Sequence, residues 1–220
     1  MEIGGGLQII LVGHNMRSII LQHGTSEYQQ LLDLSIPINK AYADKFGFEH
    51  LVNNTKRCTD RCVFWEKIAY INEILPTIED GSLVVWIDGD SLAIGEEDLH
   101  NAMPSNSNFG MVQLRGGLGG RQLLTWYNAG FFTMINSPEI RQFFTNVWNR
   151  NTPTDEDAIN AELKHIDLTI NGQYISSLDP KWNCWRNNTV FCSSPVIKSF
   201  HGMSLSDKLT QMTDFINQRR

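Results

Sequence analysis

The chain of 220 residues lacks the features that mark several large protein classes. It has no apolar run near the roughly 18 residues that a membrane-spanning helix needs. Residues 1–6 are rich in glycine and carry no basic side chain, so we do not expect them to form a signal peptide. Basic side chains are outnumbered, 18 against 24, and the net charge of -6 argues against a nucleic-acid-binding protein. An anionic ligand would need a few local cations or a metal ion.

Cysteine is also scarce. Four cysteines are too few for a disulfide framework in a chain of this length, and their C-x3-C and C-x7-C spacings fit a zinc site poorly: Cys58, Cys62, Cys184 and Cys192. We therefore expect a cytoplasmic protein. The length is typical of one domain, and 41% hydrophobic residues are enough for a sizeable core.

Short apolar runs alternate with helical patterns, which predicts an α/β fold with a largely parallel sheet. The predicted strands are 7–12, 48–52, 83–87, 109–114, 130–135 and 196–200. A first helix is predicted from Ser35, with Pro37 in its first turn and Gly47 at its end. In a second helix, apolar side chains share one face: Phe64, Ile68, Ile71 and Leu75. Three more helices are predicted from Pro138, from Asp155 and after Gly202, and the segment 170–173 predicts a type I′ hairpin turn.

Two aspartates directly follow the strand predicted at 83–87. Asp88 and Asp90 flank Gly89, so both carboxylates point to one side and the backbone can bend close to a ligand. Ligands of open α/β sheets bind at the carboxyl ends of the strands. Two oxygen donors at this spacing suit Mg²⁺ or Mn²⁺. The alternative is an ordinary Asp-Gly turn, but such turns rarely follow a run of buried apolar residues, so we favour a metal site.

A D-x-D motif after an apolar strand also occurs in phosphatases of the haloacid dehalogenase type. In those enzymes the motif lies near the N-terminus and is usually followed, two residues on, by Thr or Val. Here Leu92 occupies that position, and several elements precede the motif. A phosphatase is therefore the second hypothesis.

Four other segments accompany the D-x-D motif in a definite order: Phe64–Ile68, Asn128–Phe132, Asp155–Asn160 and Phe200–Gly202. This order resembles GT-A-fold glycosyltransferases, above all the galactosyl/mannosyl/xylosyltransferase family of fungi and plants, and also the glycogenin-like transferases. The resemblance spans about 7–202. It implies a Rossmann-like, mixed and mainly parallel sheet flanked by helices, in a single catalytic domain over 1–220. Within that domain it implies a nucleotide-binding half at about 7–92, an acceptor half at about 93–202 and a C-terminal helix at about 204–220.

The resemblance also implies the residues that would bind the ligands. A divalent metal, Mn²⁺ or Mg²⁺, would be held by Asp88, Asp90 and His201, although a lone histidine is more often an ordinary residue at a strand end. Residues that would contact the sugar nucleotide are Gly13, His14, Asn15, Lys67, Gly89, Ser91, Asn128, Ala129 and Gly202. For these the alternatives are a connecting loop, a solvent-exposed helix lysine and a turn asparagine. Three tryptophans are either a wall against which a sugar stacks or part of the core: Trp126, Trp182 and Trp185.

Three consecutive acids, Asp155, Glu156 and Asp157, begin a predicted helix. Acids at this position cap the helix and interact with its dipole. One cap needs one acid, so we expect at least one of the three to face the site as a catalytic nucleophile or base. Glycogenin-like retaining enzymes carry Gln at the middle position, where this chain has Glu156.

The expected function is a metal-dependent glycosyltransferase. It would move a hexose from a nucleoside-diphosphate sugar, with a UDP-sugar favoured and GDP-mannose second, to a hydroxyl of a glycan or glycoprotein. A non-catalytic glycan-binding domain is an alternative beside the phosphatase. Fungal and plant members carry a membrane anchor, so this chain is expected to be a catalytic domain of a longer protein or a soluble bacterial or viral enzyme. The glycine-rich segment 115–121 is either a lid or a plain connection.

Overall fold

The computed structural model describes residues 16–104, 107–113, 126–165, 175–185 and 192–219. The predicted strand at 7–12, the glycine-rich segment 115–121 and the predicted hairpin at 170–173 lie outside these residues. In chain order the described helices and strands are β1 (Ser18–His23), α1 (Gln29–Phe46), β2 (Glu49–Asn53), α2 (Glu66–Ile74), β3 (Leu83–Ile87), β4 (Ser91–Ala93), β5 (Phe109–Gln113), β6 (Tyr127–Ile135), α3 (Pro138–Trp148), α4 (Asp155–His165), β7 (Ser176–Leu178), β8 (Ile197–Ser199) and α5 (Leu205–Asn217).

Six of the strands form one sheet in the order β2-β1-β3-β6-β5-β7. Strand β1 pairs in parallel with β2 and β3, and β7 pairs in parallel with β5. Strand β6 is antiparallel to both of its neighbours, β3 and β5. A second sheet consists of β4 and β8, which pair antiparallel. The mixed, mainly parallel sheet flanked by helices confirms the predicted fold class.

Apolar side chains cover both faces of the six-stranded sheet. Along β1, Ile19 and Leu21 belong to one core cluster and Ile20 to another, as the alternation of a strand buried on both faces requires. The first cluster also contains side chains of α2, α3 and α4, namely Ile68, Ile71, Phe144, Val147 and Ile159. The second contains Tyr42 and Ala43 of α1. Among the described helices, none combines the length and apolar character needed to cross a membrane.

Near the start of the chain one strand was missed, and one predicted helix start was wrong. Strand β1 was not predicted at all, and helix α1 begins at Gln29 rather than after Ser35. Pro37 therefore lies inside α1, where it removes one backbone hydrogen bond. Burial of Leu31 and Leu32 offsets that loss, because both side chains are almost fully removed from water. Gly47 ends the helix as predicted, with φ of 75°.

The predicted apolar face of the second helix also needs one correction. Phe64 is 53% exposed, whereas Trp65 beside it is 2% exposed. The reason is that α2 begins only at Glu66, and a tighter 3-10 turn at Val63–Trp65 precedes it. Such a turn has three residues per repeat, so it rotates Phe64 away from the face defined by α2.

Candidate functional site

Two aspartates and a histidine from a distant part of the sequence converge at the carboxyl end of β3. Asp88 and Asp90 follow β3 directly, and His201 lies just after β8. One potential ligand atom of each residue lies within 4.8 Å of the other two. The N–H of Phe200 donates to the carbonyl oxygen of Asp90 at 3.0 Å, which ties the backbone before His201 to the D-x-D turn. The structure thus brings together the three residues predicted as metal ligands.

The donor set fits a divalent cation. Asp90 is buried, and its Oδ1 makes no hydrogen bond although it lies 3.3 Å from His201 Nδ1. A buried carboxylate oxygen without a hydrogen bond is costly unless a cation compensates for it. Two carboxylates and one imidazole are ligands that suit Mn²⁺ or Mg²⁺.

Two basic side chains keep Asp90 ionised. Burial alone would raise the pKa of Asp90, but His201 and Lys208 outweigh that effect and hold this pKa well below its usual value. Lys208 Nζ lies 2.6 Å from Asp90 Oδ2. Burial would lower the pKa of His201, but the carboxylate of Asp90 raises it above its usual value. Asp90 is therefore ionised, and its carboxylate lies beside the two basic side chains of His201 and Lys208.

Lys67 joins the D-x-D turn to the start of α4. Its side chain is 10% exposed, and its Nζ lies 3.0 Å from Asp88 Oδ1 and 3.0 Å from Asp155 Oδ2. The ammonium also donates to the carbonyl oxygen of Ala129 at 2.6 Å. Burial would lower the pKa of Lys67, but Asp155 and Asp88 outweigh it and raise that pKa. Lys67 is thus not a solvent-exposed helix lysine.

The middle acid of α4 is held by three donors. Glu156 Oε1 accepts from Trp126 Nε1 at 3.0 Å, and Oε2 accepts from Asn128 Nδ2 and from the Ala129 N–H, both at 3.0 Å. The carboxylate therefore fixes the first residues of β6. The predicted sugar-contacting residues Asn128 and Ala129 lie against Glu156 rather than in an isolated turn.

The third acid of α4 belongs to the helix cap. Asp157 Oδ2 accepts from Thr154 Oγ1 at 2.7 Å, and Thr154 Oγ1 accepts from the Asp157 N–H at 3.1 Å. Thr154 thus caps the helix, and Asp157 binds the hydroxyl of Thr154 rather than its backbone N–H as the acid of a capping box would. The three acids thus have three different partners, and Asp155 is the one that pairs with Lys67.

Asn183 links these groups to His201. Its Nδ2 donates to Asn128 Oδ1 at 2.6 Å, and its Oδ1 lies 3.3 Å from His201 Nε2. A Cβ at position 130 would overlap the His201 ring, so Gly130 is needed for the ring to lie against β6. Gly202, after the histidine, adopts a φ of 70°, which favours glycine.

A cleft opens beside Asp88 and Asp90. The residues at the end of β1 line it, and so do the two lysines that pair with the aspartates, Lys67 and Lys208. The described lining residues include His23, Gly24, Thr25, Tyr28, Phe64, Lys67, Gly89 and Lys208. The predicted loop of Gly13, His14 and Asn15 lies outside the described residues. Ser91, by contrast, is fully buried, donates to Ser199 at 2.8 Å, and is not among the described residues that line the cleft.

Several residues of the site were not predicted from the sequence. Lys208 and Asn183 match no motif, and His23–Thr25 lie at the end of a strand that was missed. The signal for the last group was a glycine and a threonine that follow the short apolar run 19–21 after two polar residues. Trp182 and Trp185 are buried in the core and Trp126 binds Glu156, so the alternative of core tryptophans holds for the first two.

No family model matches the sequence, and no curated protein matches it. Solved structures do match. One is a glycosyltransferase involved in the glycosylation of the major capsid of PBCV-1, 13% identical with a TM-score of 0.67, where the match covers 90% of this chain and 99% of that one. The WbbM bifunctional glycosyltransferase is 12% identical with a TM-score of 0.60, covering 91% of this chain and 50% of that one. The galactosyltransferase LgtC is 14% identical with a TM-score of 0.55, covering 90% and 95%. At these identities the likeness concerns the fold, and the chain has the GT-A fold of glycosyltransferases.

Proposed function

We propose that this protein is a metal-dependent glycosyltransferase. It transfers a hexose from a nucleoside-diphosphate sugar to a hydroxyl of a glycan or glycoprotein, with a UDP-sugar as the favoured donor and GDP-mannose second. The observation that carries the proposal is the convergence of Asp88, Asp90 and His201 beside a cleft in a GT-A fold. The nucleotide-binding half would comprise residues up to about 92, and the acceptor half about 93–202, of one catalytic domain.

The diphosphate end of the donor requires positive charge. When the bond between the anomeric carbon and the diphosphate breaks, negative charge develops on a phosphate oxygen. A divalent ion held by Asp88, Asp90 and His201 would supply Lewis-acid stabilisation of that charge. Lys208 lies in the same cleft and adds a cation fixed in place by Asp90. This arrangement explains how a chain of net charge -6 binds an anionic donor.

The sugar end of the donor would meet the residues at the start of α4 and β6. The acceptor hydroxyl attacks the anomeric carbon, and its proton passes to a base. Asp155 is the acid beside Lys67 and Asp88, so we assign it to the anomeric face of the sugar. Glu156 holds Asn128, whose second Nδ2 hydrogen can donate to a sugar hydroxyl, while its oxygen already accepts from Gly130 and Asn183.

The two alternatives have less support. A haloacid-dehalogenase-type phosphatase would use the first aspartate as a free nucleophile, but Asp88 Oδ1 accepts from Trp86 Nε1 at 2.6 Å and pairs with Lys67. A glycan-binding domain without activity has no need of a cation site beside the cleft.

Thermal unfolding with sugar nucleotides tests the proposal. UDP-, GDP- and dTDP-sugars are added with and without Mn²⁺ to the wild type, to Asp90→Asn and to Asp44→Asn, a matched change at an exposed acid remote from the cleft. A ligand at a hundred times its dissociation constant adds about 2.7 kcal/mol to the stability. We expect this gain only with Mn²⁺, and we expect Asp44→Asn to keep it and Asp90→Asn to lose it.

Three outcomes would contradict the proposal. The metal-dependent function is wrong if no sugar nucleotide raises the melting temperature in a Mn²⁺-dependent way. Release of phosphate from simple esters would favour the phosphatase. Binding of glycans without any transfer or hydrolysis of the donor would favour a glycan-binding domain.

A further inference from the structure

A chain of hydrogen bonds runs from a backbone amide of β6 to the ring of His201. The Gly130 N–H donates to Asn128 Oδ1 at 2.9 Å, and the same oxygen accepts from Asn183 Nδ2 at 2.6 Å. Asn183 Oδ1 in turn lies 3.3 Å from His201 Nε2. The chain starts at a peptide N–H, which can only donate. Every later donor and acceptor therefore follows from it.

The orientation of Asn128 is fixed at both ends of its amide. The Gly130 N–H requires an oxygen opposite it, so the amide oxygen of Asn128 faces Gly130. The amide NH₂ of Asn128 then faces Glu156 Oε2, which also accepts from the Ala129 N–H at 3.0 Å. Two peptide groups thus determine which way this side chain points.

The orientation of Asn183 follows from that of Asn128. The oxygen of Asn128 requires a donor, so Asn183 presents its NH₂ to Asn128 and its oxygen to His201. Ser199 Oγ donates to the same Asn183 oxygen at 2.7 Å. In the present orientation, Asn183 Nδ2 lies 2.6 Å from Asn128 Oδ1. If the Asn183 amide were rotated by 180°, its oxygen would face the Asn128 oxygen at about that distance, and the two oxygens would repel each other.

The proton on His201 follows in turn. Both ring nitrogens face an oxygen, but only Nε2 makes a hydrogen bond, with Asn183 Oδ1, so the neutral ring carries its hydrogen on Nε2 and its lone pair on Nδ1. Nδ1 lies 3.3 Å from Asp90 Oδ1, the buried oxygen that makes no hydrogen bond. A lone pair and a carboxylate oxygen face the same place, which suits a cation.

We propose that Asn183 is a positioning residue that fixes neutral His201 in its Nε2–H form and so reserves Nδ1 for a divalent cation. The reservation for a cation rests on the proposed function, whereas the position of the proton does not. Partners that orient a metal-binding histidine through its other nitrogen commonly change metal affinity 10–100-fold when they are mutated. Asn183 is fully buried at the end of the turn Pro180–Asn183, which suits this role.

Nuclear magnetic resonance of ring-¹⁵N histidine tests the position of the proton. Long-range ¹H–¹⁵N spectra of the metal-free full chain are recorded at alkaline pH, where imidazoles are neutral, and His201 is assigned from its absence in His201→Gln. We expect the Nε2–H pattern in the wild type and a mixture of both forms in Asn183→Leu. The control is Ser199→Ala, which removes one donor to the Asn183 oxygen but keeps Asn128 and should leave the Nε2–H pattern unchanged.

Titration with Mn²⁺, followed by the electron paramagnetic resonance of the free ion, tests the reservation of Nδ1. We expect about 10–100-fold weaker binding in Asn183→Leu and less than about twofold change in Ser199→Ala. An Nδ1–H ring in the wild type overturns the proposal without any variant. Unchanged spectra and Mn²⁺ affinity in a folded Asn183→Leu also overturn it. An Nε2–H ring in a wild type that binds no Mn²⁺ would confirm the proton position and overturn the proposed metal-dependent function, so the two failures are distinguishable.

Discussion

Two groups of acidic residues lie around the end of β3, and their side chains behave differently. Asp88 and Asp90 follow a strand, where residues two apart point to the same side. One carboxylate oxygen of each therefore lies within 4.8 Å of the other and of a ring nitrogen of His201. Asp155, Glu156 and Asp157 begin a helix, where successive side chains are about 100° apart. They face Lys67, Asn128 and Thr154, respectively. The secondary structure that carries a run of acids thus decides whether their carboxylates converge.

The difference has a consequence for interpreting sequences. Two acids separated by one residue after an apolar strand predict a shared ligand, because the strand itself aligns them. Consecutive acids at a helix start predict separate roles, of which capping is one.

Removing one charge from the converging pair should abolish most of the activity. We expect Asp90→Asn to lower kcat/KM for transfer on the order of a thousandfold, or about 4 kcal/mol, because the variant loses both the metal ligand and the anion that fixes Lys208. Asp44→Asn should change kcat/KM less than about twofold. If Asp90→Asn melts like the wild type and keeps its activity, the convergence of Asp88 and Asp90 has no catalytic meaning.

The cation between the two acid groups should matter for stability. We expect Lys67→Met to lower the free energy of unfolding by about 3–5 kcal/mol, since it leaves buried Asp155 without its partner. Urea unfolding measures this, and Lys56→Met, at an exposed lysine, should stay within about 0.5 kcal/mol of the wild type. Adding Asp155→Asn to Lys67→Met should restore part of the loss. A double variant no more stable than the single one would show that Lys67 acts through packing alone.

Much of the fold could be predicted from hydrophobic pattern and capping residues. Strand β3 is an unbroken apolar run, and α3 and α4 begin at the predicted Pro138 and Asp155. Strand β1 was missed because only part of it is apolar. Its Gln22 is fully buried and donates to Ser35 Oγ at 2.9 Å, and its His23 bonds the Thr55 carbonyl at 3.0 Å. Such a strand needs partners supplied by the fold, which a local pattern does not contain.

The site was predictable only where a local motif carries it. Asp88 and Asp90 directly follow an apolar strand. His201 lies in Phe200–Gly202, the last of the segments whose order along the chain resembles that of GT-A-fold glycosyltransferases. Lys208 and Asn183 belong to the site only because of tertiary packing. Lys208 comes from α5, and Asn183 comes from the turn against which β8 packs. Neither residue type is unusual at a helix start or in a turn, so nothing local distinguishes them.

A milder change at the middle acid distinguishes a holding role from a chemical one. We expect Glu156→Gln to lower kcat about tenfold, because the amide oxygen still accepts from Asn128 and Ala129 while the new NH₂ faces the Trp126 N–H without an acceptor. Steady-state kinetics with Asp155→Asn alongside provides the comparison. Loss of activity by ten-thousandfold or more in Glu156→Gln, beyond the roughly 10²–10⁴-fold typical of acid–base groups, would assign the reaction's nucleophile to Glu156.

The smallest effect is expected at the third acid. Asp157→Ala should cost about 0.3–1 kcal/mol of stability, because it removes an acid from the first turn of α4, and leave kcat/KM within about twofold of the wild type. Thr154→Ala should cost about 1 kcal/mol, because it also removes the cap, and the double variant should cost less than the sum, because both single variants remove the bond between the two side chains. Urea unfolding of the four proteins gives the coupling. Additive costs would mean that the two side chains act independently, and a large fall in activity for Asp157→Ala alone would mean that the three acids share one chemical role after all.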